Sequence, residues 1–218
     1  NWLRLWRRKQ RFNIWKRSMI EITSYCVIRN GKANHNGEVV FEGSADFNSF
    51  IKDLYRDLQI GYPKFFKMDR LSKLAFVSSE LLLKNRELTK EYAVDKVGVY
   101  LANNASSLDT DRVHQKSINN RHEYFPSPAI FVYTLPSISL GEIAIKQKIK
   151  GGNNFFIFNN FDASFFADYV EDQIKLNKIE SCLFGWVNLD DEDYDSALFL
   201  VEKKKGICPL NKTVLKNI

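Results

Sequence analysis

The chain has 218 residues, 44% of them apolar and 14% aromatic, which suffices for one globular domain with a substantial core. Its formal charge of +6 resides at the N-terminus: residues 1–18 carry seven basic groups and no acidic one, leaving residues 19–218 at −1. That remainder lacks the basic field that phosphate backbones require, which excludes nucleic acid, and no apolar run reaches the ~18 residues of a membrane span.

In chain order, residues 1–18 form a basic extension ahead of Met19. Trp2, Leu3, Trp6, Phe12 and Trp15 among the arginines would suit an amphipathic helix on a membrane surface. The favoured expectation is a disordered tail, or an extension translated from upstream of a start at Met19. The segment has no continuous apolar core of a secretory leader, so the expected compartment is the cytoplasm. Residues 19–28 read as a first strand, residues 30–37 as an Asn/Gly-rich turn and residues 38–41 as a short strand. Residues 46–58 place Phe47, Phe50, Ile51 and Leu54 on one helical face. A second helix over residues 67–84 is capped by Asp69, with Leu71, Leu74, Leu81 and Leu82 in its inward stripe.

Residues 96–102 are a Val- and Tyr-rich strand, and residues 109–121 a polar helix and loop in which His114 and His122 read as solvated. Pro136 starts a further helix in which Gly141 would permit close contact, and residues 143–149 bury one face. Residues 155–158 form an apolar run suited to a buried strand, broken by Asn159-Asn160 and followed by a helix that Asp162 opens. Phe165, Phe166, Tyr169, Val170 and Ile174 give that helix an apolar face. Residues 180–187 are another strand, residues 186–195 an acidic loop read as solvated, residues 196–202 a closing strand and residues 203–218 a basic tail. Cys26, Cys182 and Cys208 have no metal-ligand spacing, and the first two read as buried reduced thiols. No metal or cofactor is expected.

Several stretches resemble motifs of the β-ketoacyl synthases, the condensing enzymes of fatty-acid and polyketide synthesis. Met68-Asp69-Arg70-Leu71 matches a helix start that in the family lies near the substrate pocket, and Val97-Gly98-Val99 a central strand. Ser127-Pro128, Pro136-Ser137, Gly141 and Ile143-Ala144-Ile145 match a further signature, with Ser137 where the family commonly has Asn. Laid over residues 151–186 without a gap, the family's Gly-Pro falls on Gly151-Gly152, its Ala-Cys-Ala-Ser on Asn159-Asn160-Phe161-Asp162, and the first of its final glycines on Gly185.

The resemblance implies an α/β thiolase-like half over residues 19–202: a mixed sheet with helices on its faces, of βαβαβαββ type. It also implies that Asn160 stands where the catalytic cysteine would be, and an amide carries no acyl thioester. The family's second half supplies two histidines and a lysine, and these 218 residues match none of its motifs. Loss of one oxyanion donor alone costs ~2.7–4 kcal/mol of transition-state stabilisation. The expectation is therefore a non-catalytic accessory subunit, chain-length-factor-like, paired with a full-length synthase or with itself, and able to hold an acyl carrier protein.

Phe155, Phe156, Phe158, Asn159, Phe161, Phe165, Met68 and Asp69 are the expected interface or pocket residues. Asn160 is expected to fill the old site, hydrogen-bonded to backbone. The aromatic helix after it, if uncovered, would leave an exposed apolar patch. The alternatives are an acyltransferase using Ser164 or Cys182 as nucleophile, a stand-alone acyl- or carrier-protein-binding domain, and a decayed fragment.

Overall fold

The computed structural model describes residues 20–84, 86–120, 122 and 126–217. The basic extension of residues 1–18 lies outside the described residues. Eight strands form one sheet: β1 (Glu21–Arg29), β2 (Lys32–His35), β3 (Glu38–Glu42), β4 (Val97–Asn103), β5 (Asn153–Ile157), β6 (Ser181–Asp190), β7 (Asp193–Glu202) and β8 (Cys208–Pro209). The order is β3-β2-β1-β7-β6-β4-β5, with β8 beside the start of β1. Strands β5, β4 and β6 are parallel, while β7 runs antiparallel to β6 and to β1.

Among the described residues seven α-helices accompany them: α1 (Phe47–Asp57), α2 (Arg70–Leu83), α3 (Leu108–Ile118), α4 (Pro128–Val132), α5 (Ile138–Gln147), α6 (Ala163–Lys175) and α7 (Lys212–Lys216). With the β2–β3 meander and β8 set aside, β1, β4, β5, β6 and β7 with their crossovers give the expected βαβαβαββ path. No helix among the described residues is long and apolar enough to cross a membrane.

Both faces of the central strands are covered, so their residues alternate between two apolar layers rather than between core and water. Leu183, Val187, Leu198 and Leu200 meet α1, α2 and α5 on the first face. Cys182, Phe184, Trp186, Phe199 and Val201 meet α6 and α7 on the second. Helix α2 is buried almost all round, and its small residues allow that: Ser78 Oγ is 2.8 Å from Ser196 Oγ, and Cys26 Sγ donates to the Ser78 carbonyl at 3.3 Å. Gly185 is obligatory, since a Cβ there would lie 2.1 Å from the Ala197 carbonyl oxygen.

Several expectations are corrected. Residues 30–37 are not one turn but two, with β2 between them. Asn30-Gly31 and Asn36-Gly37 each hold two consecutive positive φ angles, the backbone of a tight two-residue hairpin. Helix α2 begins at Arg70 rather than at residue 67, because Asp69 caps it by accepting from Ser72 N at 3.0 Å. A Cβ on Gly141 would meet nothing within 4 Å, so no close contact requires that glycine. Strand β5 is an edge strand with no fully buried residue, not a buried one, since among the described residues only β4 pairs with it.

The acidic stretch is not a loop. β6 and β7 run through it to a two-residue turn at Asp191-Glu192, and Arg112, Arg70 and Arg29 bind Asp190, Glu192 and Asp195. The basic tail also folds: β8 pairs with Glu21 and Ile22, and α7 packs against α6 with Leu215 buried.

Candidate functional site

The segment carrying Asn160 leaves the sheet after Phe158, whose N–H donates to the Asn103 carbonyl at 2.9 Å. The chain then bends at Asn159-Asn160 and enters α6. Asp162 is the N-cap, and its Oδ1 accepts from Ser164 N at 3.0 Å and from Phe165 N at 2.9 Å. A free helix N-terminus favours a thiolate or an oxyanion through unpaired N–H groups and the dipole. Here two of those groups are satisfied by a carboxylate that already carries the negative charge.

Asn159 and Asn160 are exposed, and among the described residues neither side chain has a hydrogen-bond partner. Asn160 is therefore not the backbone-bonded filler expected from sequence. It opens onto a cleft of about 640 Å³ with Phe161, Trp186, Asn188, Arg29 and Lys216 among its lining. Asn188 on β6 fixes the loop after β4, its Oδ1 accepting from Asn104 N at 3.2 Å and Ala105 N at 3.3 Å.

Among the described residues, no cysteine, serine or threonine lines this cleft. Cys182 lies fully buried in the second-face core, where burial pushes its thiol far above the ordinary range. Cys26 is buried in the first-face core, and burial pushes its thiol up to about 12. Burial, and then the charge of Glu21, also raises Cys208. Ser164 sits exposed in the first turn of α6 with no adjacent base. No histidine lines the cleft: His35 meets Ser24 Oγ at 3.0 Å near the C-terminus of α2, and His114 packs beside Phe131.

The expected interface and pocket residues separate into three places. Phe156, Phe158 and Phe165 cluster on the second face, with Phe165 edge-on to both others at 4.9 Å, and Phe161 stacks on Phe166 at 5.4 Å. Phe155 points to the opposite face and packs against the first core. Met68 and Asp69 belong to neither set and line a smaller cavity of about 190 Å³ between the start of α2, α3 and α4. There Asp69 accepts from Ser72 N and from Thr110 Oγ1 at 2.9 Å. Burial raises its carboxyl despite those bonds.

The aromatic patch expected on α6 does not form. Phe166 and Val170 are buried, Phe165 and Tyr169 are half-buried against β5, and Ser164, Asp168, Asp172 and Lys175 make the outward face polar. Exposed apolar surface lies elsewhere, at Val113 on α3, Phe131 and Val132 on α4, Leu135, and Ile157 on β5. The outer edge of β5 pairs with no strand among the described residues.

Sequence reasoning missed most of the cleft: Arg29, Asn104, Asn188 and the α7 segment that supplies Lys216. The one available signal was the recurrence of polar Asn pairs at strand ends, at residues 103–104 and 159–160.

No protein-family model and no curated protein matches the sequence. Solved structures do match. The ishigamide ketosynthase/chain length factor aligns at 17% identity and TM-score 0.57, over 84% of this chain and 62% of that one. A type II polyketide synthase acyl-carrier protein in complex with its ketosynthase (AntDE:AntF) aligns at 13% identity and TM-score 0.62, over 85% and 62%.

The ketosynthase ApeO in complex with its chain length factor ApeC, from Xenorhabdus doucetiae, aligns at 13% identity and TM-score 0.52, over 86% and 80%. This chain thus spans about three-fifths of the length of the first two matched chains and four-fifths of the third. The shared property is the fold: the ketosynthase, thiolase-like architecture.

Proposed function

We propose that this chain is a non-catalytic, chain-length-factor-like subunit that pairs with a full-length ketosynthase and shapes its acyl pocket. The observation that carries the reading is Asn160. The resemblance places the family's nucleophile at this bend, and here the bend holds an exposed amide beside a helix end whose N–H groups Asp162 already caps.

Three further features support it. The β5 edge is open to another strand, and apolar Phe131, Val132 and Leu135 stand exposed on the segment after α3. Neighbouring exposed apolar side chains of this kind are a feature of interaction surfaces. The fold neighbours are polyketide ketosynthases and chain length factors, and one complex contains a matched chain only slightly longer than this one. On this reading the compartment is the cytoplasm, the setting is polyketide or polyene synthesis rather than general fatty-acid synthesis, and an acyl carrier protein docks on the assembled pair.

Co-expression with a full-length ketosynthase from the same genome tests the proposal. The expected result is a stable one-to-one complex by light scattering, whose product length changes when this chain is omitted. A well-folded homodimer that ignores every ketosynthase offered would sink the subunit role and favour a stand-alone acyl- or carrier-protein-binding domain.

A further inference from the structure

We propose that the Asn160 cleft binds a small neutral polyol, a saccharide of one or two rings, independently of the subunit role. Its volume of about 640 Å³ lies within the range of small-molecule sites. Its lining takes one carboxamide from each of five separate places: Asn30 in the β1–β2 turn, Asn104 after β4, Asn160 after β5, Asn188 on β6 and Asn217 after α7.

Only Asn188 is engaged within the chain, through its Oδ1; the side-chain amides of the other four have no partner among the described residues. A carboxamide presents two donors and an acceptor on one flat group. Five of them brought to one cleft from separate elements, four with both donor and acceptor free among the described residues, match a ring whose hydroxyls, each donor and acceptor, stand on several carbons.

The rest of the lining selects against other chemistries. Arg29 is held by Asp195 at 2.9 Å, and Asp193 and Lys216 leave the lining with two anions and two cations, so neither sign of ligand is favoured. The carboxamides make it a poor bed for an acyl chain, since each would lose water without gaining a partner. Phe161 and Trp186 supply an apolar wall suited to the C–H face of a sugar ring. Phe161 is fixed by stacking on Phe166 and Phe199, and the Trp186 indole N–H has no partner among the described residues.

Saturation-transfer NMR on the full chain with glucose, N-acetylglucosamine and maltose tests this. The expected result is saturable binding of at least one sugar with a Kd of about 1 mM, weakened about tenfold by Asn160→Leu and by Asn217→Leu. Both positions are exposed, so the melting temperature should not change. Absence of saturable transfer from every sugar overturns the proposal. So does sugar binding that survives the double substitution, or binding of a nucleoside or an acyl-pantetheine in place of sugar.

Discussion

Glu202 and Arg86 meet as a bidentate pair, with Nη2 2.6 Å from Oε1 and Nη1 2.8 Å from Oε2. The carboxylate is wholly buried at the end of β7, and Thr23, Tyr92 and Lys204 also bind it. This pair ties the last central strand to the turn after α2.

Burial by itself would raise the Glu202 carboxyl, but hydrogen bonds from Arg86, Thr23, Tyr92 and Lys204 outweigh it and hold the group at about 2, against an ordinary 4.5. The folded state therefore binds fewer protons than the unfolded state between those values, so stability falls as pH falls. The contribution is complete above about 4.5 and disappears as pH drops towards 2, amounting to roughly 3 kcal/mol. Urea titrations at pH 7, 4 and 3 should show that loss, and Glu202→Gln should remove most of the pH dependence while costing about 3 kcal/mol at pH 7. An unchanged slope in the variant would show that other carboxylates govern acid stability.

Tyr100 is buried in β4, and its hydroxyl has no hydrogen-bond partner. It fits because Gly98 and Gly152 lack side chains: a Cβ would approach the Tyr100 oxygen to 2.9 Å from the first and to 2.7 Å from the second. Tyr100→Phe removes an unsatisfied polar atom and should raise stability by about 1 kcal/mol. Gly152→Ala should destabilise the parent chain but be tolerated in the Tyr100→Phe background, a coupling of about 1 kcal/mol in a double-mutant cycle. Additive effects would mean that Gly152 answers to the backbone rather than to the phenol.

A thiol at Asn160, where the resemblance places the family's nucleophile, should not produce chemistry. In an Asn160→Cys variant the new thiol stands in an exposed bend, and the Asp162 carboxylate occupies the helix N–H groups that would otherwise favour a thiolate. Its alkylation by iodoacetamide should titrate with an apparent pKa of about 8.5 or higher, as for a free thiol, and no acyl group should transfer to it from acyl carrier protein. An apparent pKa below about 7 would reveal an activating environment and reopen the acyltransferase reading.

The path of the fold was legible because β1, β4, β5 and β6 are apolar runs closed by Asn or Asp, and α1, α2 and α6 carry a three-four apolar spacing opened by a capping Asp. What escaped was set by partners distant in sequence. Residues 190–195 read as an acidic loop because Arg29, Arg70 and Arg112, which neutralise them, come 78 to 166 positions earlier. Phe155 to Phe158 read as a buried strand because composition does not distinguish a central strand from an edge strand covered by helix aromatics. The cleft was invisible for a related reason: its asparagines come from five separate places, four in turns or after elements and one on β6, that only the folded chain assembles.

The C-terminal segment illustrates the same limit and yields a prediction. Leu215 packs in the second-face core, and Ile207 N and Leu210 N donate to the carbonyls of Ile22 and Ile20. Leu215→Ala should therefore cost about 2–3 kcal/mol, measured by urea denaturation, where a solvated tail would cost nothing.

The β5 edge decides the proposed partnership. Its parallel pairing with β4 uses only one side of the strand, so the other side presents N–H and C=O groups to an incoming strand. Ile157 is about half exposed at the end of that edge, so replacing it disturbs little of the chain's own core. A lysine there should leave the melting temperature within about 2 °C of the parent, because a surface substitution changes stability by no more than ~0.5 kcal/mol. In a strand-to-strand interface the same lysine would be buried without a partner, and a buried unpaired charge costs several kcal/mol. Ile157→Lys should therefore weaken the complex with a full-length ketosynthase by at least about a hundredfold in a sedimentation assay. Undiminished binding would place the interface elsewhere, and the exposed Phe131, Val132 and Leu135 would be the next surface to charge.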